Sequence, residues 1–550
     1  MSRSETATSV ARYRNLAIGL VVVAFVAAAW PGDRSETAAD AVELDPVEDS
    51  GFFPGPIREL APDYVARTNT VQSVGAPLPP DGETWSGRGW LFVAAEVGRG
   101  IAVHDLETLA PVAFIYSEGS AVPHHPYLSP DQRWVIANAR FGNEVIVIDT
   151  HDDFATDFLA FPEAADGADV AGPLHGTYTN DGRYFVVALQ RSDRIGVIDV
   201  EAEGGPAIAE VIDVGDRPRD VYITPDDEKA FFSMQGANTV GVLDIGTWEL
   251  REIERSEEDY SSAGGGGAGM SVDGELLAIS NTPEEEVIII DTATEEVVRR
   301  VADIPNPVNA EFLGDTHIVG TGNRSDGSVS FIDADAGELL ATVATGGGAN
   351  IPYLGPDGNY WVSHNGAQHV SVLDPETFEV IEEISTGVNP HWIHFLPSGS
   401  RALATNWGES SVSVIDVARY DTLGTFTTGM NPNGMVVKTD VTEEQAEAAL
   451  ERYDTAGVDV LLSSEMVLPP PADEQEAVFL NSCVQCHDVG RIVRNNSSTE
   501  EDWTAIVERM IGNGAQISDG DATVIIDYLT EGRHQALDFG TRYEEAREAR

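Results

Sequence analysis

Lysine is nearly absent: among 550 residues only Lys229 and Lys438 carry it. Basic residues total 32 against 92 aspartates and glutamates, a formal net charge of −60. A field of that sign repels phosphate backbones and excludes nucleic acid as a partner. An acidic surplus with almost no lysine reads as a halophilic trait, in which salt screens the charge that keeps the chain soluble. GC-rich codon usage is the plainer alternative. Cysteine is as scarce. The two residues, Cys483 and Cys486, stand three positions apart, which rules out a framework of structural disulfides. Apolar residues are not scarce: 42% of the chain is enough for real cores and excludes wholesale disorder. The length calls for two or three folded units.

Arg3, Arg12 and Arg14 precede an uncharged stretch, Leu16–Trp30, which Asp33 and Arg34 follow. A run this short falls below the about 20 residues of a spanning helix and suits the apolar region of an export signal. Ala27, Ala28 and Ala29 offer a small-residue cleavage site. The competing reading is a retained membrane anchor with the arginines inside. Both readings of residues 1–30 place the later residues outside the cytoplasm, in the periplasm or its equivalent. Residues 31–84, acidic and rich in Pro, Ala and Gly, read as a linker and lead-in.

The strongest pattern spans residues 85–440. Eight short apolar strands close on aspartate, at Asp105, Asp149, Asp199, Asp244, Asp291, Asp333, Asp374 and Asp416, with successive aspartates 41 to 50 residues apart. Each repeat adds a polar turn, such as Ser129–Gln132, Asn180–Arg183 or Gly355–Gly358, and an amide that ends the next strand, such as Asn138, Gln190, Asn323 or Asn406. A period of this size, with four strands per unit, predicts the blades of a β-propeller. One such sheet cannot bury both faces alone, whereas a ring of them can. The tract of strand, amide and V-x-V-I-D resembles the YVTN family of propellers. The first repeat lacks an innermost strand before Trp90–Ala95, and the last has a spare one at Asn431–Val437. Donating the spare to the first sheet gives eight blades and fastens the ring; seven blades is the alternative.

Beyond residue 440 the pattern changes. Thr442–Asp454 has helical spacing and an acidic first turn, so residues 441–472 read as a helical connector that ends near Pro469–Pro471. Residues 473–550 read as a small all-α domain. Cys483-Val484-Gln485-Cys486-His487 is a C-x-x-C-H, the attachment sequence for one covalent haem c. Its thiols add to the two vinyl groups and His487 lies under the iron as proximal ligand. A tetrahedral zinc site would need further Cys or His nearby, and the next histidine is His534. The surroundings are a helix at Glu474–Asn481, Trp503-x-x-x-Val507-x-x-Met510 on an amphipathic helix, a break at Gly512–Gly514 and a last helix at Asp521–Leu529. They resemble the class I cytochrome c domains of quinohaemoprotein and sulfite dehydrogenases. That resemblance implies Met510 as the distal iron ligand, with His534 as the alternative, and outer-sphere electron transfer to a redox partner protein.

The residues that open the innermost strands face the tunnel of a propeller. Three blades supply histidine there: His124 and His125, His175, and His391, on one arc with Asn433 between. Convergent imidazoles can hold copper or ligate a second haem, which makes His125, His175 and His391 candidate ligands and His124, His125, His175 and His391 candidate catalytic residues. The plainer reading is that they bond carbonyls in a polar tunnel. The arrangement resembles cytochrome cd-type nitrite reductases, with the domain order reversed. The His-His pair with a further His one blade later resembles nitrous oxide reductase and, more loosely, thiocyanate dehydrogenase. These resemblances imply an oxidoreductase acting on a small molecule. Arg217 and Arg219 on the same rim either hold an anion or pair with Asp216 and Asp220. His364 and His369 read as structural, and Gly264–Gly267 as a strand opening close to the axis. The sequence thus supports three functions: a redox enzyme whose haem relays electrons, a non-enzymatic electron carrier whose propeller docks a partner enzyme, and an assembly factor for a metalloenzyme.

Overall fold

The computed structural model describes residues 88–456 apart from 97, 117–121, 163–169, 216, 238, 256–264 and 430. Towards the C-terminus it describes residues 475, 503, 504, 507 and 519–530. The strands between Trp90 and Lys438 form eight four-stranded antiparallel sheets. In seven of them the strands run in chain order from the axis outwards. The eighth, blade 1, combines Trp90–Ala95, Gly100–Asp105 and Pro111–Tyr116 with the last strand, Pro432–Lys438, as its innermost member. Innermost strands neighbour one another around a closed ring. This settles the blade count at eight and confirms the donated strand.

The repeated aspartate has a local cause. Its carboxylate accepts backbone N–H groups two or three residues on, as Asp105 does from Thr108, Asp291 from Thr294, Asp333 from Ala336 and Asp416 from Arg419. Each caps the turn into the outermost strand. The apolar residues before it alternate between the two faces and bury against the neighbouring blades, so Leu91, Phe92, Val135, Ile136, Phe231, Phe232 and Trp361 are fully enclosed.

The closing strand is clasped to blade 2. Val437 pairs with Leu91. Lys438, one of the two lysines, is buried and donates from Nζ to the carbonyl of Gln132 at 2.9 Å. The Gln132 side chain accepts the N–H groups of Thr439 at 2.8 Å and Asp440 at 3.2 Å. A helix comes next at Glu443–Ala456, as expected. Thr442 and Gln445 form a reciprocal capping box at its start. Ala446 and Ala449 bury against the core of blade 1, and Arg88 bridges Glu107 and Glu443. The expected last helix is present at Asp519–Thr530, and residues 503, 504 and 507 are helical. Among the described residues no helix is long and apolar enough to cross a membrane. Leu16–Trp30 lies outside them.

A second clasp joins blades 5 and 6. His317 lies 2.8 Å from Asp335 through Nδ1 and 3.0 Å from Asp273 through Nε2. Burial works against its charge, but the two carboxylates outweigh it and raise the imidazole above its ordinary value. A raised folded-state value means the contribution is full below the unfolded imidazole value, about 6.5, and fades as pH rises through the folded one. His317→Gln is therefore expected to lose up to about 1 kcal/mol in mildly acidic urea melts and nothing in alkaline ones.

Candidate functional site: the histidine rim of the tunnel

Every innermost strand begins with a register shift, for instance between Pro123 and His125, Pro173 and Gly176, Pro218 and Val221, and Pro390 and Ile393. Proline has no N–H to give to a ladder and tolerates this first position. The bulge after it turns the next side chains out of the sheet plane towards the axis. The chemistry-bearing residues of the tunnel sit on these bulges.

His124, His125 and His175 come together. Ring centroids are 5.2 Å apart for His124 and His175, 6.4 Å for His125 and His175, and 6.5 Å for His124 and His125. All three are buried. Each nevertheless has its own surroundings. His124 Nδ1 lies 2.5 Å from Glu96 Oε1, and Asn433 Nδ2 is 3.2 Å from the same nitrogen. His125 packs over Gly434 so closely that a Cβ there would overlap its imidazole ring. Its ring also meets Trp392 and Tyr127 edge-on or tilted. His175 lies between the Tyr127 hydroxyl, 3.3 Å from Nδ1, and Asp220 Oδ1, 3.7 Å from Nε2.

His391 turns elsewhere. Its Nδ1 meets Asn365 Oδ1 at 2.5 Å, and its ring stacks on Trp407. Trp407 in turn donates from Nε1 to Glu96 Oε2 at 3.1 Å, so one buried carboxylate connects the His391 side of the tunnel to His124. Asn433 does lie between them, where it accepts from Trp392 Nε1 at 2.7 Å.

Electrostatics keep the imidazoles neutral. Burial, then the charges of Arg140 and Arg219, holds His124 well below its ordinary value. Burial and His124 do the same for His175, and burial and Arg324 for His391. Beside His175, burial pushes the Asp220 carboxyl up, opposed by Arg219. Burial, reinforced by Asp220, pushes Glu311 well above the carboxylate range. Arg219 pairs with Asp220 at 3.1 Å and donates to Asn309 Oδ1 at 3.2 Å, so the ion-pair reading of Arg219 holds. It crosses blade 5 because Gly267 has no side chain; a Cβ there would overlap Asn309 Oδ1. The glycine run thus opens a strand close to the axis. Arg217 gives its backbone N–H to Asp193, and Asp216 lies outside the described residues.

Among the described residues no three His, Cys, Asp or Glu side chains are placed to hold a metal ion. The contacts with Glu96, Asn365 and Tyr127 engage Nδ1 of His124, His391 and His175 respectively. His364 and His369 lie with ring centroids 4.6 Å apart, tilted, and are bonded to Ser371 and the Thr345 carbonyl, as structural residues would be. His394 is buried, which lowers it to about 4. Cys483, Cys486, His487, Met510 and His534 lie outside the described residues.

Sequence reasoning missed Glu96, Tyr127, Trp407 and Glu311. Only Glu96 left a trace, a carboxylate just past the strand where other blades end in an amide.

No protein-family profile matches the chain, and no curated protein resembles it in sequence. Solved structures do resemble it in fold. The dihydro-haem d1 dehydrogenase NirN, solved in complex with DHE, is 16% identical over 76% of this chain and 85% of its own, with a TM-score of 0.52. Hydrazine synthase of Kuenenia stuttgartiensis is 20% identical over 55% of this chain and 99% of its own, at 0.42. AztD of Citrobacter koseri is 12% identical over 64% and 98%, at 0.48. At these identities the likeness to NirN shows the fold, a β-propeller.

Proposed function

We propose that the chain is an extracytoplasmic haem-dependent redox protein, with a covalent haem c on Cys483 and Cys486 and a small-molecule site at the histidine rim of its propeller. His487 and Met510 are the iron ligands in this reading, and the Leu16–Trp30 segment directs export or anchors the chain to the membrane. The haem, when bound, exchanges single electrons with a redox partner protein. NirN, a dihydro-haem d1 dehydrogenase by name, supports the pairing of a propeller with haem chemistry. The observation that carries the reading is the buried Glu96–His124 pair in a chain whose sequence also carries a C-x-x-C-H.

The chain's own residues have separable tasks. Glu96 accepts a hydrogen bond from Nδ1–H of His124 and so leaves Nε2 as an acceptor. A neutral, buried imidazole in that tautomer accepts a proton from a substrate that gives up electrons. Trp392 and Asn433 fix the wall beside it, and Asp220, paired with Arg219, continues the rim beyond His175.

The test has two arms. Purified full-length protein is expected to contain about one iron per chain and to show a c-type haemochrome; its absence removes the reading. A panel of small reductants is then scored for haem reduction. Wild type is expected to be reduced by at least one of them. Glu96→Gln and His124→Ala are expected to slow that reduction about 10²-fold while dithionite reduces all three equally. Equal rates with every reductant would instead favour a carrier whose propeller only docks a partner.

A further inference from the structure

Tyr127 lies where blades 2 and 3 meet, and it is 3% exposed. Its hydroxyl oxygen accepts the N–H of Gly176 at 3.3 Å. The Asn138 side chain is a second donor to this oxygen, which leaves the phenolic hydrogen to His175 Nδ1, also at 3.3 Å. An Nδ1 that accepts carries its ring proton on Nε2. That nitrogen faces Asp220 Oδ1 at 3.7 Å, too long for a hydrogen bond but within reach of an ion pair. Asp220 is fixed in turn, its Oδ2 taking Arg219 at 3.1 Å and the Ala268 N–H at 3.3 Å. Phenol, imidazole and carboxylate thus stand in line, each from a different blade.

Tyr178, Tyr222 and Tyr353 are bonded differently. Tyr178 and Tyr222 donate to backbone carbonyls, those of Trp134 and Ala268, and Tyr353 accepts from the Ile393 N–H. A carbonyl is a hydrogen-bond acceptor but a very poor base. Tyr420 does donate to a carboxylate, Asp357, at 2.6 Å, but outside the tunnel and with no imidazole. Tyr127 is also embedded in rings: His125 at 5.2 Å and Phe185 at 5.3 Å, with Trp392 4.8 Å beyond His125.

Taking an electron from a buried phenol leaves a positive charge in a dry site, which is costly unless the proton leaves with it. The geometry points to Tyr127 as a redox-active tyrosine. A one-electron oxidant withdraws an electron from the ring, the phenolic O–H breaks, and the proton forms an N–H bond at His175 Nδ1. The products are a neutral phenoxyl radical, an imidazolium facing Asp220, and the oxidant reduced by one electron. The oxidant class is a strong one-electron acceptor of the metal-oxo or peroxide-derived kind. Burial holds His175 neutral and Tyr127 protonated before the event; it disfavours the imidazolium formed, which the facing Asp220 offsets. The step goes beyond the haem reading and does not depend on it.

The probe is a photogenerated ruthenium(III) polypyridyl complex, used with an irreversible quencher on the full-length protein. Transient absorption and electron paramagnetic resonance are expected to show a neutral phenoxyl signal with or without a Soret band. That signal is expected to be lost in Tyr127→Phe, which removes only one oxygen, and kept in Tyr420→Phe. In His175→Gln its formation is expected to slow by about 10²-fold, the smaller end of what a positioned base supplies. Should that variant fail to fold, the wild-type rate in deuterated water gives the same readout and is expected to fall. A phenoxyl signal unchanged in Tyr127→Phe overturns the proposal, and so does a rate indifferent both to His175 and to deuterium.

Discussion

A chain carrying Cys483→Ser and Cys486→Ser together is expected to fold its propeller and to emerge from a cytochrome-maturing host with no covalent haem. Each thioether needs a thiol, and the sequence holds no third cysteine to substitute. The last strand of the ring ends at Lys438, before either residue. Denaturing gels stained for haem peroxidase activity are expected to lose the band completely, while the β-sheet circular dichroism and the urea midpoint of the propeller stay put. Either single variant retains one thiol and is expected to keep reduced amounts of haem with a shifted α band. A double variant that still carries covalent haem would remove the C-x-x-C-H from the proposed function.

Val437→Asp is expected to have the largest effect on the ring. Val437 is fully buried in the closing strand, opposite Leu91 and within the cluster that includes Val93, Trp392 and Met435. That cluster is apolar, and the adjacent buried Lys438 is committed to the Gln132 carbonyl. Burying the group unpaired costs several kcal/mol, about 3–5, against a typical domain stability of about 5–15. Blade 1 would keep three strands and lose its axis. Expected readouts are a strongly lowered urea midpoint and rapid proteolysis, with cleavage concentrated in blade 1 and beyond residue 430. Val437→Ala at the same site creates a small cavity and is expected to cost about 1–3 kcal/mol, so the two together separate charge burial from lost contact. A midpoint that moves equally little in both would mean that the ring does not depend on this strand.

The blades were legible because the same physical problem recurs. Each aspartate such as Asp105 or Asp416 caps a turn through its own nearby N–H groups, so the signal is local and repeats at a constant spacing. The closing strand was legible for a topological reason, since a first sheet missing its inner member and a last with one to spare can satisfy each other. The proximity of His124, His125 and His175 was legible too, because equivalent positions in neighbouring blades converge on the axis. What each imidazole does was not. The partners of His124 and His175 are Glu96 and Tyr127 or Asp220, on other blades, and the bulges that aim them depend on strand register. The copper reading rests on residue type and rim position, while the hydrogen-bond partner of each ring nitrogen is set by such contacts between blades. The fate of Arg219 shows the same limit: whether it serves an anion or Asp220 turns on a few ångströms across a glycine strand.

The clasp at Lys438 and Gln132 also sets an order of events. A ribosome works from the N-terminus, so the first sheet waits unfinished while seven others are made, and the toroid cannot lock until its very last segment is released. The pentapeptide that would receive porphyrin is translated later still. Lock first, cofactor second is the order that chain connectivity allows, and a maturation apparatus would then meet a scaffold that is already closed.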